Sequence, residues 1–375
     1  MNTLTKNIIP RKVQLFLFEN RYMIKMIYEK QEKKFYNLYI EHPKNSLPID
    51  DVNKWIKKLT KLTYAFPDLI EVGESFFLSD IKILKNREIK PNDIIAICVA
   101  KNDILKLTNF IYHHRRIGID KFIILDNNST DGSVEWLLTQ PDVILMQTTM
   151  PYTTNRREGW INRILAFCGD NHWYLVADSD ELLVYDNYEK EDIHHLVNYY
   201  DEQKITRVRA LMLDMYATAD YYNNGTKEDY LHECCYFDTT SYIYSTRNYI
   251  DLITGGPRSR VFKKSQWLTK YPLFYLSEKV LECKSHFLFP LALNINTECN
   301  LILKHYKFLP GELEKIKKIA SAGNYFNGSE EYKQYLRILE NTNTLDFFYD
   351  GTCRYIDSRS LRAINDCYSP VNLNA

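Results

Sequence analysis

The sequence predicts an α/β fold, a mostly parallel sheet flanked by helices, preceded by a small N-terminal α+β domain. Three observations carry this. From Ile94 onward, short apolar runs alternate with stretches of helical spacing, the pattern of strands joined by crossover helices. Two polar clusters, 126–133 and 178–181, each follow directly on an apolar run, where parallel sheets place their ligand-binding residues. The third is the apolar run Trp173 to Ala177, which stops at Asp178, Asp180 and Glu181 before a second run, Leu182 to Tyr185. Like charges between hydrophobic segments are costly unless a cation or hydrogen-bond donors neutralise them. Carboxylate oxygens suit Mg²⁺ or Mn²⁺, which keep positions open for phosphate, so Asp-x-Asp at a strand end reads as a metal–diphosphate site. An isolated Asp-x-Asp is more often a solvated acidic turn; the flanking apolar runs favour a site.

Taken in order, residues 1–90 form the small α+β domain. Val13 to Phe18, Arg21 to Tyr28 and Phe35 to Ile40 read as short strands, and Asp50 to Tyr64 as a helix. Lys85 to Asp93 is polar, carries Pro91, and marks a boundary. In the main domain, 91–345, Ile94 to Ala100 is a strand; Ile104, Leu107, Phe110 and Ile111 share a helical face, closed by Gly118. Phe122 to Leu125 is the next strand, Val134, Leu137 and Leu138 begin a helix, and Val143 to Met146 is another strand. Trp160, Ile164 and Phe167 mark a helix before the Trp173 strand. A helix over Glu189 to Tyr200 and an extended run from Thr206 to Tyr216 follow. Residues 217–250 read as an irregular, substrate-facing region, the end of the domain holds amphipathic helices from Glu312 and Glu330, and 346–375 is a C-terminal tail.

Lys+Arg and Asp+Glu both number 48, a balance that argues against a nucleic-acid binder, which needs a basic excess. The eight cysteines lack metal-ligand spacing and read as free thiols of a reducing compartment. Met1 to Arg11 lacks the apolar core of a signal peptide, and no uncharged apolar run is long enough to span a membrane. The expected location is the cytoplasm, with peripheral contact at the inner face of the cell membrane left open. The adjacent pairs His113-His114 and His194-His195 read as surface, and Arg156 and Arg157 as a helix face or a phosphate rim.

The turn Asp126-Asn127-Asn128-Ser129-Thr130-Asp131-Gly132-Ser133 supplies more polar groups than the one side chain a helix cap needs. Asp126, directly at a strand end, is suited to accept from the amide edge of a base. Together with Cys98-Val99-Ala100-Lys101-Asn102-Asp103 and the 173–185 block, it follows the order of motifs in the family-two-like glycosyltransferases, which have the GT-A fold. Gly255-Gly256-Pro257-Arg258, Lys270-Tyr271-Pro272-Leu273, Ser285-His286-Phe287 and Leu303-Lys304-His305-Tyr306-Lys307-Phe308-Leu309 resemble later blocks of bacterial members, over roughly 94–340. The resemblance implies a GT-A-like (Rossmann-like) sheet and a nucleotide-sugar donor, a UDP-sugar first. It implies a saccharide or lipid-linked saccharide acceptor and a role in surface-polysaccharide synthesis. It places Asn102, Asp126, Asn128, Asp178 and Arg258 at the donor. Asp178, Asp180 and His305 would hold Mn²⁺ or Mg²⁺, with His305 in a late segment folding back across the crevice. The family inverts the anomeric centre with a carboxylate base, and no Glu-Asp pair stands where it is usual; Glu278, Asp251 and His286 are the candidates.

Two other classes compete. One is a sugar-nucleotide-binding protein on the same fold without turnover. The other is an Asp-x-Asp phosphatase, disfavoured because the motif follows several strands and Leu182 stands where a Thr or Val belongs. Repulsion within the carboxylate cluster predicts that Asp180→Asn leaves the apo protein as stable or more so.

Overall fold

The computed structural model describes residues 70–247, 250–277, 279–280, 282–294, 298–311, 313–323, 326–340, 345–364, 367–371 and 373, with 29–30, 32–37, 41, 47 and 51–65 of the N-terminal part. A single large sheet organises it, from β1 (Lys82–Lys85) through β2 (Ile95–Ala100), β3 (Lys121–Asp126), β4 (Val143–Gln147), β5 (Trp173–Val176), β6 (Glu181–Val184), β7 (Arg207–Asp214) and β11 (Thr269–Tyr275) to β14 (Cys299–His305). The spatial order is β1-β4-β3-β2-β5-β11-β7-β14-β6. Strands β2, β3, β4, β5, β7 and β14 run one way; β1, β6 and β11 run the other. This is the α/β, mostly parallel architecture the alternating pattern predicts, and its order suits a GT-A-like sheet.

Period-two alternation along each buried strand gives the sheet two apolar faces. Ile95, Ile97, Ile123, Leu125, Ile144 and Met146 face one core, with Trp55, Ile56 and Leu59 of α1 (Val52–Ala65), Phe76 of α2 (Ile70–Leu78) and Trp160, Ile161 and Ile164 of α5 (Thr154–Cys168). Ala96, Cys98, Phe122, Ile124 and Leu145 face the other. There they meet α3 (Ile104–Arg116) through Leu107 and Phe110, α4 (Ser133–Thr139) through Leu137, and α6 (Ile193–Glu202) through Leu196. Helix α3 ends as predicted, with Gly118 at φ 99° just past the cap. Helix α5 is opened by Thr153, whose hydroxyl accepts from the Arg156 N–H at 3.1 Å.

Several expectations change. The strands expected at Val13 to Phe18 and Arg21 to Tyr28 lie outside the described residues. Residues 35–37, the described part of the strand expected over Phe35 to Ile40, are helical; of 32–37 only Phe35 is buried, its ring centroid 5.7 Å from that of Phe77. The described residues of the 217–250 region carry regular structure, with β8 (Tyr236–Asp238) paired to β15 (Thr352–Arg354) and β9 (Tyr242–Arg247) antiparallel to β10 (Ile250–Gly255). Tyr221 and Tyr230 fill core positions, while Tyr244 is exposed. Leu361, Ile364, Cys367 and Tyr368 of the C-terminal stretch pack into the same core as Ala96, Cys98 and Phe122.

The segment holding His305 does not fold across the crevice as a loop. It is a sheet strand, β14, between β7 and β6, which sets His305 beside Asp214 on one side and Glu181 on the other. His114 is fully buried, and both rings of the pair expected at the surface meet the backbone of β6: Leu183 N–H donates to His114 Nε2 at 3.1 Å, and His113 Nε2 bonds the Leu183 carbonyl at 2.6 Å. A strand at the end of a sheet needs partners for its free backbone groups, and these imidazoles supply them. Among the described residues no helix is long and apolar enough to cross a membrane.

Candidate active site

The carboxyl ends of β2, β3, β5, β7 and β14 converge on one edge of the sheet, and β6 and β11 start there. Asp178 follows β5. Its Oδ1 accepts from Arg157 Nη2 at 2.5 Å, and Lys270 Nζ stands 3.6 Å from Oδ2. Lys270 also bonds Glu181, whose other oxygen accepts the Asp178 N–H at 3.2 Å. Asp180 lies 3.6 Å from Lys106 Nζ and 3.8 Å from His305 Nε2. Burial alone would raise both carboxyls; Arg157 and Lys270 hold Asp178 below the ordinary carboxylate range, and Lys106 and His305 hold Asp180 down at about 2. The cluster that looked unstable in sequence is thus neutralised by the protein's own cations.

Behind it lies a buried chain of charge. His305 Nδ1 bonds Asp214 Oδ1 at 2.6 Å, Arg258 Nε donates to Asp214 Oδ2 at 2.7 Å, and Arg258 Nη1 donates to Glu331 Oε1 at 3.0 Å. Arg258, on α7 (Gly256–Phe262), is only 3% exposed, so its guanidinium serves this chain rather than an open phosphate site. Lys307 and the hydroxyl of Tyr335 complete the surroundings of Glu331, whose carboxyl falls to about 2.

A cavity of about 570 Å³ opens beside the cluster, lined by Asn102, Asp103, Lys106, Asp131, Lys227 and Gly311 among others. Asp103 accepts from the Ser179 hydroxyl at 2.5 Å, tying this wall to the Asp178–Asp180 loop. The loops after β2 and β3 clasp each other: Asn102 N–H donates to Ser129 Oγ at 2.9 Å, Thr130 N–H to Asn102 Oδ1 at 2.7 Å, and Ile104 N–H to Asp131 Oδ2 at 3.0 Å. Asn102 and Asn128 take φ 51° and 60°, the left-handed conformation that asparagine tolerates. Asn102 lines the cavity, and Asn128 is exposed on the turn.

Asp126 is placed differently from the expectation. It is 1% exposed, and its oxygens accept from the Ser129 N–H at 3.1 Å and from Gln147 Nε2 at 3.0 Å. Geometrically it braces the turn from within and does not line the cavity. Of the candidate bases, Glu278 lies outside the described residues. Asp251 is buried beside Arg209 at 3.4 Å and accepts from Thr246 Oγ1 at 2.8 Å, a separate set of contacts from those of Asp178 and Asp180. His286 bonds the Thr269 carbonyl through Nδ1 at 3.0 Å, and burial with the nearby Lys270 charge lowers it to about 4. A carbonyl only accepts, so Nδ1 carries the proton and Nε2 of the neutral ring holds a lone pair.

Among the described residues no group of three or more His, Cys, Asp or Glu side chains is arranged to hold a metal ion. Asp178 is drawn towards Arg157 and Lys270. Asp180 and His305 nevertheless suit a divalent ion together: 3.8 Å is too long for a hydrogen bond, and two ligands of one Mg²⁺-sized ion stand about 2.9 to 4.2 Å apart. The donor set is one carboxylate and one imidazole, which suits Mn²⁺ better than Mg²⁺.

The sequence had no motif for Lys106, Asp214 or Glu331, gave Lys270 no role beyond the Lys270-Tyr271-Pro272-Leu273 block, and read Arg157 as a helix face or a phosphate rim. The spacing 157, 160, 161, 164 already set Arg157 on the apolar face of α5, where a charge must have a partner. Lys270 is likewise a lone cation in a strand of otherwise neutral residues.

No family model and no curated protein matches the chain. Solved structures similar to it include S. aureus TarS 1-349, at 11% identity over 66% of this chain and 72% of that one, TM-score 0.28. A mannosyltransferase from Pyrobaculum calidifontis, in complex with GDP-Man and Mn²⁺, is 16% identical over 44% of this chain and 47% of its own, TM-score 0.23. HddC from Yersinia pseudotuberculosis is 9% identical over 52% and 84%, TM-score 0.29.

Proposed function

We propose that this chain is a glycosyltransferase that moves a sugar from a nucleoside-diphosphate donor, a UDP-sugar first, to a saccharide or lipid-linked saccharide acceptor. We place it in bacterial surface-polysaccharide synthesis, acting with inversion, at the inner face of the membrane or in the cytoplasm. Residues 91–345 would be the transferase unit, with 1–90 and 346–375 as additions to it. The observation that carries this reading is the Asp178–Asp180 pair, set among Lys106, Arg157, Lys270 and His305 beside a cavity at the carboxyl ends of parallel strands.

In this reading Lys106 and Lys227 on the cavity wall meet the donor's phosphate oxygens, and Asn102 and Asn128 border the nucleoside. Asp178, kept ionised by Arg157 and Lys270, accepts from ribose hydroxyls. Asp180 and His305 would hold a divalent cation, which would supply charge neutralisation for the departing nucleoside diphosphate. His286, neutral and with its Nε2 lone pair free of the Thr269 bond, accepts the acceptor hydroxyl's proton.

The test is a thermal-shift series with UDP and GDP, each with and without Mn²⁺, followed by assays of donor hydrolysis and transfer. One nucleoside diphosphate should raise the midpoint in proportion to its affinity, more so with Mn²⁺. If neither nucleotide moves the midpoint under either condition, the proposal fails. Binding without hydrolysis or transfer would favour a sugar-nucleotide-binding protein, a reading that the commitment of Asp251 to Arg209 supports.

A further inference from the structure

We infer that Asp214, backed by Arg258, is a positioning residue that fixes the tautomer of His305, so that the Nε2 lone pair points at Asp180 and the two can share a divalent cation. This rests on the metal-dependent transferase reading above, and it adds to that reading two residues that no motif of the sequence singles out for this role.

The register of the sheet makes the contact. His305 ends β14 and lies opposite Asp214, which ends the neighbouring parallel strand β7, and Met215 N–H donates to the His305 carbonyl at 2.9 Å. Both side chains are at most 5% exposed, so water does not compete for their hydrogen bonds. Asp214 is the acceptor of the pair: its two oxygens face Arg258 Nε, which can only donate, and His305 Nδ1. A carboxylate 2.6 Å from Nδ1 requires the proton on Nδ1. Nε2, 3.8 Å from Asp180 Oδ2, is then the nitrogen that is left to ligate a cation. Arg258 contributes a further constraint. By donating from Nε to Oδ2 at 2.7 Å it fixes which oxygen of Asp214 is left for His305. A carboxylate behind a ligating imidazole is a general device for orienting the ring and raising its basicity.

The same geometry says what Asp214→Asn would do. Asparagine has one oxygen, and Arg258 Nε, which can only donate, claims it. The amide NH₂ then faces Nδ1, which must accept, and the imidazole proton moves to Nε2, where it points at Asp180 and blocks ligation.

Two measurements on the full chain test this, with Mn²⁺ alone as the probe. The first is long-range ¹H–¹⁵N NMR of the histidine rings in the metal-free wild type, with His305→Ala to assign the signal. Once the ring is neutral, the Nδ1–H tautomer is expected for His305; a neutral ring protonated on Nε2 overturns the inference without any variant having to fold. The second is the Mn²⁺ dissociation constant from EPR for wild type, Asp214→Asn and His305→Ala. Asp214→Asn should weaken binding about 10–100-fold, approaching His305→Ala. Wild-type affinity in Asp214→Asn beside a loss in His305→Ala would overturn the role of Asp214 and leave the metal reading standing. Mn²⁺ binding equal in all three proteins, or absent from the wild type, would overturn both.

Discussion

Asp180 shows how far a residue's sequence neighbours misstate its energetics. Beside Asp178 and Glu181 it reads as one of three mutually repelling charges, so Asp180→Asn looks harmless or stabilising. In the structure Lys106 and His305 outweigh that repulsion and hold its carboxyl at about 2. The substitution should therefore lower the apo midpoint slightly, since it removes the carboxylate charge 3.6 Å from the buried Lys106 ammonium. Mn²⁺-dependent turnover should fall by at least about a hundredfold, on the scale of losing a charged group that stabilises the transition state. Thermal melting with and without Mn²⁺, beside a donor-hydrolysis assay, checks both; an apo midpoint above wild type would restore the repulsion picture. The Asp-x-Asp motif and His305 were legible because an apolar run ending in charge is a local pattern. Whether Asp126 faces a ligand or the inside of its own turn depends on Gln147, a residue of the next strand, and no local pattern shows that.

At the scale of elements, two contacts decide whether the site is held. Helix α5 carries Arg157 and crosses α2 at Gly159, where an added Cβ would meet the Val72 carbonyl oxygen at 2.6 Å and Ser75 Cβ at 2.7 Å. Backbone cannot yield there, so Gly159→Val should cost about 1–3 kcal/mol, and more if α2 is displaced. Denaturant unfolding measures the loss; an unchanged midpoint would mean that the two helices separate freely. The second contact is the β6 edge, held by His114. Burial lowers this imidazole from its ordinary 6.5 to about 3, so the folded state keeps it neutral while the unfolded chain protonates. Its stabilising contribution is complete above about pH 6.5 and is lost progressively as the pH falls towards about 3, by up to about 1.4 kcal/mol per pH unit. His113 is lowered too and acts in the same direction. Between pH 7.5 and 4.5 the wild type should lose more stability than His114→Gln, whose amide does not titrate. Parallel pH dependences would remove His114 from the account. Helical periodicity located α3 and α5 in the sequence, but which histidine faces a strand edge is set by the packing of α3 on β6.

At the scale of the whole molecule, the N-terminal helices and the sheet share one core. Phe35, Trp55, Phe76 and Phe77 lie in the same buried cluster as Ile95, Ile123, Ile144 and Trp160. A chain starting near residue 80 would leave that face of the sheet uncovered, a patch of the size that drives association. We expect such a truncation to aggregate or to bind a hydrophobic dye strongly, while the full chain does not. A soluble, cooperatively melting fragment would instead establish residues 1–90 as a separate domain.

The sequence by itself determined the strand–helix alternation, the parallel sheet and the strand-end position of the two aspartates, because these follow from periodicity and from polar residues directly after apolar runs. It also placed His305 in an apolar segment, though not in the sheet. Only the tertiary structure decided what surrounds them. Lys106 comes from α3, Arg157 from α5, Lys270 from β11 and Asp214 from β7, and strand register carries them to one edge. Lys106 and Asp214 look ordinary among their chain neighbours. The charge of a buried group is set by the groups within a few ångströms of it, and at this site those groups are supplied by elements distant in sequence.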